Sequence, residues 1–503
     1  MSKSALLIFF SLLSGISCMA QRLEKEVTLS HPNIIYILAD DLGYGDVSIF
    51  NHQSKIKTKY IDQLASEGIR FTDAHSNSSL CTPSRYGILT GRYAWRSSLQ
   101  NGVLWSYDTP LIGAKRVTVA SMLKEKGYHT ACIGKWHLGL GWGRDSLGQI
   151  DFFQPVQDGP IAKGFDYFFG ISASLDIPPY VYIRNDRITG TSISTVDAAT
   201  GKGFWRTGPI ANDFKHAAVL TALTDEAVGY IQKNASSSRP FFLYLPLTSP
   251  HTPILPNDQF LGKSGINEYA DFVMMTDSIV GRVVAELKKQ GIEKNTLIIF
   301  TSDNGFAPAA GLKELENFGH YPSYQYRGTK SDIFEGGHRV PFIMKWPAVI
   351  TGGSIGNQTI SLTDFMATCA EIVGAPLQDN EGEDSYSMYP LMKEVSQGEY
   401  KRKDIIHHSG EGIFSIRKGR WKMVFGAGSG GWSYPTTKDL TQQNLPQLQL
   451  YDLDKDISET HNVATLYPLL VKELTALMGK YIDEGRTTSG SLQANDVPVQ
   501  LTK

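Results

Sequence analysis

The stretch Asn33-Ile34-Ile35-Tyr36-Ile37-Leu38-Ala39, followed at once by Asp40-Asp41, decides the fold. It is an apolar run without polar alternation, which predicts a strand buried on both faces, as in parallel sheets. Three more runs share this character, at 130–133, 241–247 and 297–301. Amphipathic helical segments are expected at 60–67, 117–126, 214–233, 269–290 and 364–372. This alternation predicts an α/β class built on a large, mostly parallel sheet flanked by helices.

Past residue 395 the pattern changes. Runs at 404–406, 413–416 and 420–424 predict short strands, the last two a hairpin. A Gly-rich segment at 426–431 follows, then Leu450-Tyr451-Asp452-Leu453 and a terminal helix at 467–483. A smaller C-terminal α+β domain with an antiparallel sheet is expected over 396–503, after a catalytic domain over 21–395.

Polar residues cluster where the four long runs end. Asp40 and Asp41 close the first. Gly134-Lys135-Trp136-His137 closes the second, Pro250-His251-Thr252-Pro253 the third, and Ser302-Asp303-Asn304-Gly305 the fourth. Open α/β sheets bind ligands at the carboxyl ends of their strands, so these groups are expected at one edge. Each alone could be a helix cap or a turn; four at one edge predict a site. Asp40, Asp41, Asp303 and Asn304 form an all-oxygen donor set, which selects Ca²⁺, with Mg²⁺ the alternative, over zinc.

A second signal is Cys81-Thr-Pro-Ser-Arg85-Tyr-Gly-Ile-Leu-Thr-Gly-Arg92. Pro83 fixes its own φ and biases Thr82 away from helix, so Cys81 is placed at a helix start. Helix starts favour negative charge. Arg85 falls one turn later, on the side of residue 81, where a guanidinium can steady an anion. This string resembles the signature of the formylglycine-dependent (type I) sulfatases of the alkaline phosphatase superfamily. Arg327-Gly-Thr-Lys330 and Glu335-Gly-Gly-His-Arg-Val-Pro341 match further motifs of that family, in the same order.

The resemblance implies an alkaline phosphatase-like fold and a sulfuric ester hydrolase. It implies that a maturation enzyme oxidises Cys81 to an aldehyde, whose hydrate attacks sulfur; the sulfated diol then expels sulfate by C–O cleavage. It also implies roles for single residues. Lys135 and His137 match groups that contact the diol and assist sulfate release. His251 and Lys330 match groups that bind sulfate and protonate the leaving oxygen. Ser174 resembles a further serine of the site. The overall string is nearer the arylsulfatase and N-acetylgalactosamine-6-sulfatase branch, so a sulfated carbohydrate is the expected substrate. Tyr180, Arg184 and His408 are expected at the sugar-binding rim. A phosphonate monoester or phosphodiester hydrolase using the same nucleophile, or an inactive sulfated-glycan-binding protein, is the alternative.

The remaining features bound the setting. The chain has 503 residues and a formal net charge of −2; any anion site must therefore come from local placement of cations, and nucleic acid is not an expected partner. Lys3 precedes an apolar run, and Cys18-Met19-Ala20 resembles a cleavage site, so residues 1–20 read as a signal peptide and the mature protein as periplasmic or extracellular. Lipid anchoring at Cys18 is the less favoured alternative. No integral membrane span is expected. Cys132 and Cys369 lie in apolar stretches and are expected as buried free thiols.

Overall fold

In the computed structural model, which describes residues 31–396, 398–440 and 445–501, the 33–39 run becomes the middle of a large sheet. The signal peptide expected at 1–20, Cys18 included, lies outside the described residues. Ten strands form this sheet: β1 (Asn33–Asp40), β2 (Ile69–Phe71), β3 (His129–Lys135), β4 (Tyr167–Ile171), β5 (Ile183–Arg184), β6 (Arg187–Ile188), β7 (Phe241–Pro250), β8 (Thr296–Ser302), β9 (Phe342–Lys345) and β10 (Ser354–Gly356). Their spatial order is β10-β2-β9-β8-β1-β7-β3-β4-β5-β6. The centre, from β8 through β4, is parallel. Antiparallel pairing begins on both sides, at β8–β9 and at β4–β5. The sheet is thus mixed: its buried centre is parallel, as covered faces favour, and the edge pair β10–β2 is parallel as well.

Burial explains the apolar runs. Ile34 to Ala39 and Phe241 to Leu245 have no accessible surface. Helices α1 (Lys59–Ser66), α4 (Val219–Asn234) and α5 (Glu268–Lys289) pack together, and α2 (Cys81–Thr90), α3 (Val119–Glu125) and α6 (Phe365–Ile372) form a second group. Phe365 of α6 sits 4.6 Å from Tyr36 and 5.8 Å from Phe242, ring to ring. Helix α5 starts at an Asn267 cap that accepts the Ala270 N–H, carries acids in its first turn and ends on Lys288 and Lys289, as its dipole favours. The helix expected from 214 begins instead at Val219, because Phe214 and His216 are drawn into packing against Tyr180. Among the described residues Cys81, Cys132 and Cys369 are free and buried.

The C-terminal part forms a four-stranded antiparallel sheet, β11 (Asp404–His408), β12 (Phe414–Lys418), β13 (Trp421–Val424) and β14 (Gln449–Asp452), and helix α7 (Pro468–Asp483). Its own core joins Ile406, Ile416, Met423, Leu450, Leu474 and Met478 to Tyr93 and Trp95 from just past α2. At roughly 1.5–3 kcal/mol per buried side chain, this cluster fixes the small sheet against the segment that carries Cys81. No helix among the described residues is long and apolar enough to cross a membrane.

Candidate active site

Helix α2 delivers Cys81. All ten of its residues are buried, so it reads as weakly amphipathic. Leu80 enters in extended conformation, Cys81 is the first helical residue, and Gly91 ends the helix at φ 62°. The approach is pinned from the C-terminal part: the Ser79 N–H and the Ser78 hydroxyl both donate to the His408 carbonyl, at 3.1 and 2.9 Å. Burial raises the Cys81 thiol above its usual range, although Lys135 and Lys330 oppose the shift. A plain thiolate is therefore disfavoured here.

The strand ends supply the rest. The Lys135 ammonium donates to both oxygens of Asp40, at 2.9 and 2.8 Å. Lys330 reaches the Asp41 carboxylate at 2.7 Å. Arg85 donates through Nε and Nη2 to Asp303 Oδ2, at 3.0 and 2.7 Å, and through Nη1 to the Lys135 carbonyl. Asp303 Oδ1 accepts the Asp41 N–H, and Asn304 Nδ2 donates to Asp41 Oδ1 at 2.7 Å. His251 Nε2 lies 3.5 Å from Asp41 Oδ2. All these groups but His251, which is partly exposed, are buried. Arg85, expected to steady an anion, is instead committed to Asp303, Asp40 and a carbonyl; it positions the carboxylates.

The charges balance tightly. Burial alone would raise Asp40, but Lys135, His251, Arg85 and Lys330 together hold it well below the usual carboxylate range. Burial wins at Asp303, which is pushed up to about 6 despite Arg85. Burial, then the charges of Lys135 and Arg85, depress His137 and keep it neutral. Its Nε2 faces the Leu104 carbonyl at 2.9 Å, which leaves Nδ1 as an acceptor with no protein partner. Asp41 and His137 both adopt left-handed backbone, at φ 64° and 55°. Non-glycine residues held there cost free energy that surrounding contacts must supply, and such strain gathers at functional sites.

The site fits a divalent cation. Asp40, Asp41 and His251 present ligand atoms within 4.8 Å of one another. Asn304 Oδ1 is buried without a protein partner, beside the Asp41 and Asp303 carboxylates. A histidine thus stands near the expected all-oxygen set, while Arg85 already engages Asp303 Oδ2.

The motif residues around Lys330 act through backbone packing. A Cβ on Gly336 would stand 2.2 Å from the Gly328 carbonyl oxygen, and one on Gly337 2.1 Å from that of Asp332. The Gly336 N–H donates to the Arg327 carbonyl at 2.7 Å. The glycines therefore let residues 335–338 clamp the loop that carries Lys330.

The expected rim needs correction. Ser174 is buried in the loop following β4, two residues beyond Ser172, whose carbonyl accepts the His137 N–H. Tyr180 is buried and cannot stack on a sugar; Phe214 and His216 cover its ring, and its hydroxyl donates to the carbonyls of Asp176 and Arg206. His408 is buried, with Nε2 2.6 Å from the Gln100 carbonyl. Arg184 is exposed, but pairs with Phe169 of β4 across the strand and forks onto Glu226 of α4 at 3.0 Å, away from the strand's carboxyl end. Arg184→Ala should therefore change kcat/KM for aryl and sugar sulfates by less than about 2-fold, since exposed ion pairs contribute about 0–1 kcal/mol. Steady-state kinetics on both substrates checks this.

Sequence reading missed the loop at Leu104. Its N–H lies 3.3 Å from the Thr82 hydroxyl and its carbonyl faces His137, so it bridges helix α2 to the residues following β3. No residue-type signal marks this backbone role.

Comparison with known proteins identifies the family. The sulfatase family model matches residues 32–375. The chain is 34% identical to an N-acetylgalactosamine-6-O-sulfatase of Bacteroides thetaiotaomicron, over 93% of this chain and 97% of that protein. It is 32% identical to human arylsulfatase A, over 86% and 83% of the two chains. A solved 6S-sulfatase structure from work on glycosaminoglycan metabolism by Bacteroides thetaiotaomicron superposes with a TM-score of 0.79 at 32% identity, covering 90% of this chain and 99% of that one. The chain belongs to the sulfatase family and is a sulfuric ester hydrolase.

Proposed function

We propose that this protein hydrolyses sulfate monoesters of a carbohydrate, with a 6-O-sulfated N-acetylgalactosamine as the first candidate, using formylglycine at Cys81 and a Ca²⁺ or Mg²⁺ ion. The observation that carries the reading is the convergence of Cys81, Lys135, His137, His251 and Lys330 around Asp40, Asp41, Asp303 and Asn304. Similarity to the N-acetylgalactosamine-6-O-sulfatase supports the choice of sugar.

Oxidised Cys81 supplies a hydrated aldehyde that takes the sulfuryl group and releases it as sulfate by C–O cleavage. A cation held by Asp40, Asp41, Asp303 and Asn304 would draw charge from a sulfate oxygen. Lys135 and Lys330 are fixed by Asp40 and Asp41, so their ammonium groups meet the anionic ester without reorganising. His137 Nδ1 is free to accept the hydroxyl proton whose loss drives sulfate release. His251 stands beside Asp41 and is the group we assign to protonate the departing sugar oxygen. Arg85 and Asn304 hold the carboxylates in register.

We further propose export by the leader at 1–20, with Cys81 matured by a formylglycine-generating enzyme. The matured protein, assayed on defined sulfated mono- and disaccharides, should cleave the amino-sugar 6-sulfate with the highest kcat/KM. Turnover of phosphonate monoesters above every sulfated sugar would overturn the reading.

A further inference from the structure

We propose that Trp105 and Arg206 form a subsite for an acidic sugar adjoining the sulfated one; this deepens the carbohydrate reading and rests on it. Trp105 directly follows Leu104, whose backbone is bonded to Thr82 and His137, so residue 105 is one step along the chain from a contact of the site. Trp105 is 50% exposed, while its backbone is held in a turn by the Asp108 side chain. Arg206 comes from a different loop and lies over two rings, 5.1 Å from Trp105 and 5.0 Å from Phe204.

Three contacts tie Arg206 to the loop after β4. Its N–H and Nη1 donate to the Asp176 carbonyl, each at 3.2 Å, and Nη1 also meets the Asp176 carboxylate. Tyr180, buried beneath, donates to both the Asp176 and Arg206 carbonyls. Trp205 stacks on His216 with ring centroids 4.1 Å apart. The guanidinium thus lies over two aromatic rings and is tied to Asp176, yet 39% of the side chain remains exposed.

This arrangement has a specific chemistry. A planar fork with open N–H donors suits bidentate capture of a carboxylate or a second sulfate. An exposed indole beside it offers the apolar face on which a sugar ring stacks. A lone exposed tryptophan would need no explanation; one paired with a clamped guanidinium, one residue from a site contact, does. Asp176 offsets part of the charge, so the subsite gains from geometry more than from net potential.

The test compares substrates that share one sulfated N-acetylgalactosamine: the monosaccharide, its disaccharide with an adjoining uronate, that disaccharide with the carboxyl reduced to an alcohol, and one with a second sulfate in its place. The readout is the ratio of kcat/KM values. Matured wild-type enzyme should favour the uronate disaccharide over its reduced form by about 10- to 100-fold, the range of one charge-assisted hydrogen-bond pair. Arg206→Gln should bring that ratio close to one, and Arg206→Lys should restore part of it. The doubly sulfated arm shows which anion the fork prefers. Trp105→Ala, at an exposed indole with little folding burden, should lower the disaccharide-to-monosaccharide ratio. Unchanged ratios in both variants would overturn the subsite. Wild-type turnover of an aryl sulfate with none of any sulfated sugar would instead overturn the carbohydrate reading, and the subsite with it.

Discussion

Asp303→Ala should abolish sulfatase turnover, by more than about 10³-fold, and should also lower stability. Removing a preorganised charge-stabilising group typically costs about 10²–10³ in rate. Here the loss is compounded, because Asp303 does three things. It is a candidate cation ligand, it takes two donors from Arg85, and it accepts the Asp41 N–H that holds Asp41 at positive φ. The variant leaves the buried Arg85 guanidinium with the Lys135 carbonyl and, of the carboxylates that meet it here, only Asp40 at 3.3 Å. Breaking a buried ion pair by removing one partner costs about 3–5 kcal/mol. Kinetics and chemical denaturation on the same preparation separate the two losses. Asp303→Ala with activity within 10-fold of wild type would remove Asp303 from the site.

The second large effect is on acid stability. His75, His338 and His407 meet beneath the small sheet, with His338 and His407 stacked at 3.7 Å and His75 Nδ1 3.0 Å from His338 Nδ1. Charged groups face them from every side: Asp73, Glu335, Arg417, Lys422, Arg339 and Glu459. Burial lowers all three histidines; at His407 the charges of His338, His75 and Lys422 add to it. Their folded-state pKa values thus lie below the unfolded value of about 6.5, so the unfolded chain binds more protons as pH falls through that value. Stability is full above it and falls on acidification, by about 1.4 kcal/mol per pH unit for each such histidine. Glu459 works the other way: burial raises it to about 7, so below that pH the folded state holds a proton that the unfolded chain does not take up until about pH 4.5, which offsets one histidine. His407→Gln should flatten the stability slope between pH 6.5 and 5 by about 1.4 kcal/mol per pH unit. Denaturant midpoints of both proteins across that range check it; parallel curves would show that His407 does not carry the proton.

What sequence could reveal follows from what holds each part together. The runs at 33–39, 130–133, 241–247 and 297–301 were legible because strands covered on both faces must be apolar throughout. Each observed strand runs one to three residues further at its carboxyl end. The antiparallel flanks were not legible. β2 is three residues centred on Arg70, and β9 ends on Lys345, which is buried because Glu67 and Glu293 meet its ammonium. β4 contains Gly170, which periodicity counts against a strand; a Cβ there would lie 1.9 Å from the Gly134 carbonyl oxygen, so glycine is required where β3 and β4 approach.

The site divides in the same way. Asp40, Asp41, Lys135, His137, His251, Asp303 and Asn304 were legible because strand ends put them at one edge. The rim was not, because burial of Tyr180 comes from Phe214, His216 and the 206 carbonyl, and no local pattern announces those partners. His408 was expected at the sugar-binding rim, yet it and His407 are buried in β11. Asp73 pairs with Arg417 across 344 positions, a partnership only the fold creates.

The most direct test of the account is the chemical state of Cys81. The thiol is buried and raised, so it is poorly suited to attack sulfur as it stands. Protein co-expressed with a formylglycine-generating enzyme should, by peptide mass spectrometry, carry at position 81 an aldehyde that condenses with a hydrazine. Sulfatase activity should rise in proportion to that fraction, and Cys81→Ala should show none. Full activity in protein bearing only the unmodified thiol would contradict the mechanism at its centre.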